Sequence, residues 1–348
     1  MRIAVDVMGG DHGCGIIIDG VKQALQASFG VSEAYLVGDQ TAIQSHLQQT
    51  HFHDERVRIV HASEVLTMSD KPVDGLRKKK DCSVLRAVDL VKDGKAEALI
   101  SPGNTGGLVA ATTIRLRKLE GVDRAGIATV IPGPDNEFVL LDSGANVECR
   151  PMHLVHYAVM GSVYSREVLG YKRPRVGLLS NGTEDNKGNE LTQEAFQLCR
   201  LIDIQFIGNV EGHDLFHNRV DVVICDGFMG NVVLKTIESF AKGLIGWLQK
   251  ELSKNPKRKL GALLARNAFR TIKRRMDPDA YGGAPLLGLN GNVMKAHGSA
   301  GDRAIMNAIR LSTQAIQSRI NQIICQEIRS ANERLAANRA PMAVPTAA

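Results

Sequence analysis

Nine short apolar runs, most of them β-branched, set the frame within which this chain can fold. They are Ile3–Val7, Ala34–Val37, Val57–Val60, Ala98–Ile100, Ile127–Ile131, Phe138–Leu141, Val176–Leu179, Val220–Cys225 and Val293–Ala296. Each has the length of a strand. Most are separated by stretches with helical spacing, such as Val84, Val88 and Val91 or Leu154, Ala158 and Val163. Strands alternating with helices predict an α/β fold: a three-layer αβα sandwich whose mainly parallel sheet is covered on both faces. Aromatics make up only 4% of the chain, so Val, Ile, Leu and Ala must fill the core, as in buried parallel strands. Residues 1–332 read as one large domain, and 333–348, rich in Ala and Pro, as a disordered tail.

In such a fold, ligands bind beyond the carboxyl ends of the strands. Six polar, glycine-bearing loops stand at those ends here. They are Met8-Gly-Gly-Asp11, Ser101-Pro-Gly-Asn-Thr-Gly-Gly107, Asp142-Ser-Gly-Ala-Asn146, Ser180-Asn-Gly-Thr183, Asp226-Gly-Phe-Met-Gly-Asn231 and Ala296-His-Gly-Ser299. Any one of them alone is an ordinary turn, but six of one character mark a site. The loop Ser101–Gly107 precedes a helical run, where free backbone amides and the helix dipole favour an anion. A plain N-cap by Asn104 or Thr105 is the simpler reading of the same residues. The stretch Asn181–Asn189 carries Lys187 among small polar residues, placed to reach a cleft as a point charge for phosphate.

Several familiar signatures are missing. No glycine loop ends in Gly-Lys-Ser or Gly-Lys-Thr, and Gly9, Gly10 and Gly13 do not have dinucleotide-binding spacing. His213 and His217 lack the glutamate of a zinc-protease helix, while His153 and His156 open a helix and read as structural. The loops offer amides, Asn, Thr, one Lys and acids, without an activated Ser or Cys. That inventory suits transfer between partners already reactive, such as phosphate and an acyl thioester, which need alignment and oxyanion stabilisation.

The net charge of +6 is concentrated. Between Lys250 and Arg275 the chain carries +9, leaving −3 for the remainder. Residues 236–278 read as a basic amphipathic helical hairpin: an apolar stripe through Leu234, Ile237, Ala241, Leu244, Leu248 and Leu252, a break at Lys254–Arg258, then a second helix. The N-terminus reads as a strand and not as a signal peptide, and no run of about 18 apolar residues exists to span a membrane. The six cysteines stand singly, as reduced thiols would. The expected location is the cytoplasm.

Along nearly its whole length the chain resembles the bacterial phosphate acyltransferases of membrane phospholipid synthesis, the PlsX family. The resemblance is carried by Val5–Asp11, Leu76–Asp81, Ser101–Gly106, Gly182–Glu190, Asp226–Asn231, Tyr281–Gly288 and Lys295–Ser299. It departs at the first loop, where Asp11 is followed by His12, Gly13 and Cys14 in place of the family's Ala-Pro pattern. The resemblance implies a fold similar to isocitrate and isopropylmalate dehydrogenases, a homodimer, and no cofactor or metal. It implies that inorganic phosphate attacks the thioester of acyl-[acyl-carrier-protein], yielding acyl-phosphate for a membrane glycerol-3-phosphate acyltransferase.

By position in the matching motifs, Lys187 and Asn231 are the expected catalytic residues. Gly10, Asp11, Asn104, Thr105, Gly106, Asn181, Gly182, Thr183, Asp226 and His297 are expected to line the substrate pocket. Lys78, Lys79, Lys254, Lys257, Arg258, Lys259, Arg266, Arg270, Lys273 and Arg274 would meet acidic carrier protein or the anionic membrane surface. Two other readings compete: an NAD-dependent decarboxylating dehydrogenase on a similar sheet, and a basic nucleic-acid-binding protein. The first lacks a nucleotide loop and an acid cluster; the second lacks aromatics for base stacking.

Overall fold

The apolar runs form a single eleven-stranded sheet in a computed structural model that describes residues 1–275 and 277–339. In chain order the strands are β1 (Arg2–Asp6), β2 (Glu33–Gly38), β3 (Val57–His61), β4 (Ala98–Ser101), β5 (Gly126–Pro132) and β6 (Glu137–Leu141). Then follow β7 (Arg175–Leu179), β8 (Gln205–Val210), β9 (Val222–Ile224), β10 (Ala284–Leu287) and β11 (Asn292–Lys295). The three-layer α/β expectation is met, with all nine expected strands present. Two more carry little strand signal: β8 contains Gly208 at φ 92°, and Pro285 sits inside β10.

The strand order is β3-β2-β1-β4-β11-β10-β5-β6-β9-β7-β8. Five strands on one side are mutually parallel, as are four on the other. Between them β10 runs against both β11 and β5, and β5 runs against β6. Three reversals leave the two parallel blocks pointing in opposite directions. The strand carboxyl ends therefore do not share one edge, and the six loops divide into separate sets.

Helices cover both faces. Cys14–Gln26 and Asp302–Gln317 pack on one side of the first block, and Ser83–Lys92 and Thr105–Arg115 on the other. In the second block the helix Pro151–Glu167 is buried without a break from His153 to Ser165. The sheet lies on one side of it, and helices Glu190–Cys199 and Ile320–Arg339 lie against it elsewhere. The last helix runs through residues 333–339, which the sequence assigns to a tail; residues 340–348 lie outside the described residues.

The expected hairpin also differs. A continuous 26-residue helix starts earlier, at Gly227, and ends at Leu252; the shorter helices Pro256–Leu264 and Arg266–Arg275 follow. Its base is fixed by Val233, Leu234 and Ile237, which pack against the buried cluster that includes Ile131, Phe138, Leu140 and Val223. Beyond the base, Phe240, Leu244, Trp247 and Leu248 of the same helix are exposed. Among the described residues no helix is long and apolar enough to cross a membrane.

His153 and His156 are buried, as their structural reading requires. The backbone N–H of Arg150 donates to His153 Nδ1 at 3.0 Å. Burial, together with the nearby Arg150 charge, holds the His153 pKa down at about 4, and burial lowers that of His156. Unfolded histidine takes up its proton near pH 6.5, so protons favour the unfolded chain between about pH 6.5 and 4. Stability is full above that window and falls as pH drops through it. Thermal denaturation against pH should show His153→Gln flattening part of this fall, by up to about 3 kcal/mol at pH 4.

Candidate active site

The first loop set stands on a buried row of polar residues. Strand register puts Ile100 beside Val5 and Lys295 beside Ser101, so Asp6, Ser101 and Lys295 end three adjacent parallel strands side by side. All three are buried. Ser101 Oγ donates to Asp6 Oδ2 at 2.8 Å and accepts from the Gly103 N–H at 3.1 Å. Lys295 Nζ donates to the Pro102 carbonyl at 3.1 Å and to the Ala296 carbonyl. Burial pushes the Asp6 carboxyl up and brings Lys295 down to about 8, each charge partly offsetting the effect on the other.

Above this row the loops interlock. The Asp11 N–H donates to the Gly298 carbonyl at 2.8 Å. Gly9 lies so close to Gly103 that a Cβ would stand 2.5 Å from the Gly103 Cα. Asn104 caps the helix Thr105–Arg115, its Oδ1 accepting from the Gly107 N–H at 2.9 Å. Its Nδ2 donates to the carbonyls of Thr67 and Asp70, both at 3.1 Å. The Asn104 carboxamide is thus fully engaged, and it shapes the loop instead of facing a substrate. Thr105 and Gly106 are exposed, and among the described residues their N–H groups have no partner within the chain. That is the exposed helix start at which an anion is stabilised. Nearby, the His297 Nδ1 accepts from the Ser299 N–H at 3.3 Å, which leaves Nε2 to carry the proton of the neutral ring. Packing around the ring and the Lys235 ammonium lower its pKa.

The second set surrounds Asp142, a buried carboxylate at the end of β6. It accepts from the N–H groups of Ile127 (2.9 Å), Ala145 (3.0 Å) and Asn146 (2.8 Å), and from the Asn146 side chain at 2.9 Å. These bonds fold the loop that receives the start of the long helix. Asp226 caps that helix, its Oδ1 accepting from the Met229 N–H at 2.8 Å, and the Gly227 N–H donates to the Asn146 carbonyl. Gly230 passes directly over the Asp142 carbonyl. One residue on, the exposed Asn231 sits beside Gly144 in the second helical turn.

Lys187 lies on a third segment, after β7. Asn181 Oδ1 closes this loop by accepting from the Gly188 N–H at 3.0 Å, and Asn209 holds the Glu184 carbonyl at 2.8 Å. Lys187 is exposed over Gly182, its Nζ 3.9 Å from Glu184 Oε1; Thr183 is exposed beside it. Among the described residues no hydrogen bond joins this loop to the other two sets. The long helix is what links the first two: it begins in the Asp142 set, and its Lys235 acts electrostatically on His297 and Lys295 in the other.

Of the expected contact lysines, Lys78 is exposed but Lys79 is engaged, donating to Asp70 at 2.5 Å and to the Val65 carbonyl at 2.8 Å. Lys254 and Arg258 both pair with Glu251, while Lys257, Lys259, Arg266, Arg270 and Arg274 are exposed. The side chain of Lys273 lies outside the described residues. Sequence reasoning placed Ser101 and Asp142 in site-marking loops without giving either an individual role, and it did not single out Asp6 or Lys295. Their available signal was a polar residue closing an apolar strand.

Gly230→Ala tests the second set, because a Cβ there would stand 1.9 Å from the Asp142 carbonyl oxygen. Such overpacking should cost about 1–3 kcal/mol of stability in thermal denaturation. If Asn231 has its expected catalytic role, turnover should fall further than the loss of folded protein explains, because Asn231 shifts with the helix start.

The comparisons with known proteins agree with this architecture. A family model described as fatty acid synthesis protein matches residues 1–323. The phosphate acyltransferase of Akkermansia muciniphila is 46% identical over 334 residues, covering 94% of this chain and 96% of that protein. In fold, the chain is similar to a phosphotransacetylase from Streptococcus pyogenes, with a TM-score of 0.58 at 16% identity over 91% of this chain and 94% of that one. A 4-hydroxythreonine-4-phosphate dehydrogenase from Klebsiella pneumoniae has a TM-score of 0.50 at 13% identity over 91% and 98% of the two chains. A family match that spans the candidate-site loops and the arm, together with 46% identity over 94% of the chain, places the chain in the phosphate acyltransferase (PlsX) family of acyltransferases.

Proposed function

We propose that this protein transfers a fatty acyl group from acyl-[acyl-carrier-protein] to inorganic phosphate, giving acyl-phosphate for phospholipid synthesis. The observation that carries this reading is the pair of unpartnered N–H groups at Thr105 and Gly106, seated at a helix start above the Lys295 charge. It is an anion seat in a chain 46% identical to a phosphate acyltransferase. Phosphate, partly dianionic at neutral pH, attacks the thioester carbon through one oxygen. The C–S bond breaks, and the departing thiolate takes a proton to become the free carrier thiol. Lys187 holds the phosphate or the carbonyl oxygen as charge develops there, and Asn231 orients the reacting group.

Carrier-protein thioester and phosphate incubated with the protein should yield acyl-phosphate, trapped as its hydroxamate. No product, with or without vesicles, would sink the reading. Lys187→Ala should lower kcat/KM by about 10²-fold or more; normal turnover at low phosphate would remove Lys187 from the chemistry.

The arm is part of the same proposal. Leu260, Leu263 and Leu264 are exposed among the basic residues of the helix Pro256–Leu264, with Leu264 80% exposed. A helix of this kind suits the interface of an anionic bilayer. The bare stretch Phe240–Leu248 nearer the body suits a second copy of the chain, in a homodimer. Acidic carrier protein would approach through the same charge, and a membrane glycerol-3-phosphate acyltransferase would take the product at the bilayer. Vesicles rich in phosphatidylglycerol should bind the protein at low salt, and Leu263→Glu/Leu264→Glu should abolish that binding. Full binding by the double variant would exclude the tip as the lipid contact.

A further inference from the structure

Lys295 poses a physical question that the acyl-transfer reading leaves open. A lysine 9% exposed at the end of an apolar strand loses several kcal/mol of hydration, and aliphatic residues would commonly stabilise such a position as well or better. Its contacts explain what a charge does there. Nζ donates to two main-chain carbonyls on two different loops, Pro102 before the helix Thr105–Arg115 and Ala296 before His297. The peptide unit is planar and trans, so fixing a carbonyl on the Lys295 side turns the N–H of the same unit to the other side. For Pro102 that N–H is Gly103, which Ser101 Oγ receives, and Ser101 in turn donates to Asp6. For Ala296 it is His297, whose N–H has no partner within the chain among the described residues. One ammonium therefore sets the direction of backbone amides on both loops that frame the exposed helix start.

Its charge has a second effect. Asp6 faces it within the row, and Asp11 and Lys235 act on it from the flanking loop and the arm helix. Since burial brings its pKa down only to about 8, the ammonium is the majority form at neutral pH. It is bonded to the Pro102 carbonyl, immediately before the amides of Gly103 to Gly106, in a water-poor interior where a charge is weakly screened.

We propose that Lys295 is a positioning residue for the phosphate acceptor. It fixes the amide directions of the Ser101–Gly106 and Ala296–Ser299 loops and places positive charge behind them, without itself touching the anion. This rests on phosphate being the acceptor.

Steady-state kinetics with phosphate and a long-chain acyl thioester of carrier protein as varied substrates tests it. Lys295→Met should raise the KM for phosphate by about tenfold or more, the scale on which a displaced supporting residue acts, while the KM for the thioester changes by less than about twofold. A residue with only a structural role would move both KM values together or lower only the amount of folded enzyme. Should Lys295→Met fail to fold with Asp6 left unpaired, Asp6→Asn/Lys295→Met removes both buried charges and should fold with the same raised phosphate KM. An unchanged phosphate KM in either folded variant, or equal rises for both substrates, overturns the proposal. Wild-type enzyme forming no acyl-phosphate would instead sink the acceptor reading, and the role of Lys295 with it.

Discussion

Strand β10 runs against both its neighbours, and β5 runs against β6, so the middle of the sheet reverses direction three times. The placement of the candidate-site loops follows from that constraint. Were the eleven strands all parallel, the polar loops would lie along one edge, as the rule for open α/β sheets expects. With the reversal, β1, β4 and β11 end in one place and β6 and β9 in another. A connection between the two sets is then needed. The long helix supplies it, capped at Asp226 beside Asp142 and passing Lys235 into electrostatic reach of His297 and Lys295.

Two of the loop sets are each anchored by a buried ionisable side chain that collects backbone groups. Asp142 gathers N–H donors and folds the 142–146 loop around itself. Lys295 gathers carbonyls, with Asp6 and Ser101 completing the row. The chemistry is complementary: a carboxylate accepts from amides and an ammonium donates to carbonyls. Both give loops without regular structure a single geometry, which regular secondary structure would otherwise supply. The close backbone passages at Gly9 and Gly230 follow, because loops pulled onto a buried charge approach one another more tightly than a side chain permits.

The arm is a continuation of this site and not an appendage on the domain. Its first turns help form the second loop set and its base packs on the sheet through Val233, Leu234 and Ile237. Farther out the same helix leaves Phe240, Leu244 and Trp247 uncovered. One element thus joins the candidate-site loops to the exposed apolar and basic surface, and its other end carries Asn231.

Periodicity alone determined the layered α/β architecture, nine of the eleven strands and the basic arm, because strand and helix spacing are local properties of side-chain order. The seven motifs were enough to indicate the family. Strand direction was not legible: β10 is four residues around Pro285, and no local pattern says whether a strand runs with or against its neighbour. Nor was the division of labour inside the loops. Asn104 carried both an N-cap and a pocket-lining reading, and it is a cap and a latch: its partners are three carbonyls on a segment more than 30 residues away and the Gly107 N–H of its own helix. Asp6 and Lys295 looked like the ends of two unrelated strands. Only the register that sets β1 and β11 on either side of β4 makes them one buried row, because the placing of strands distant in sequence next to one another is a property of the sheet and not of either segment.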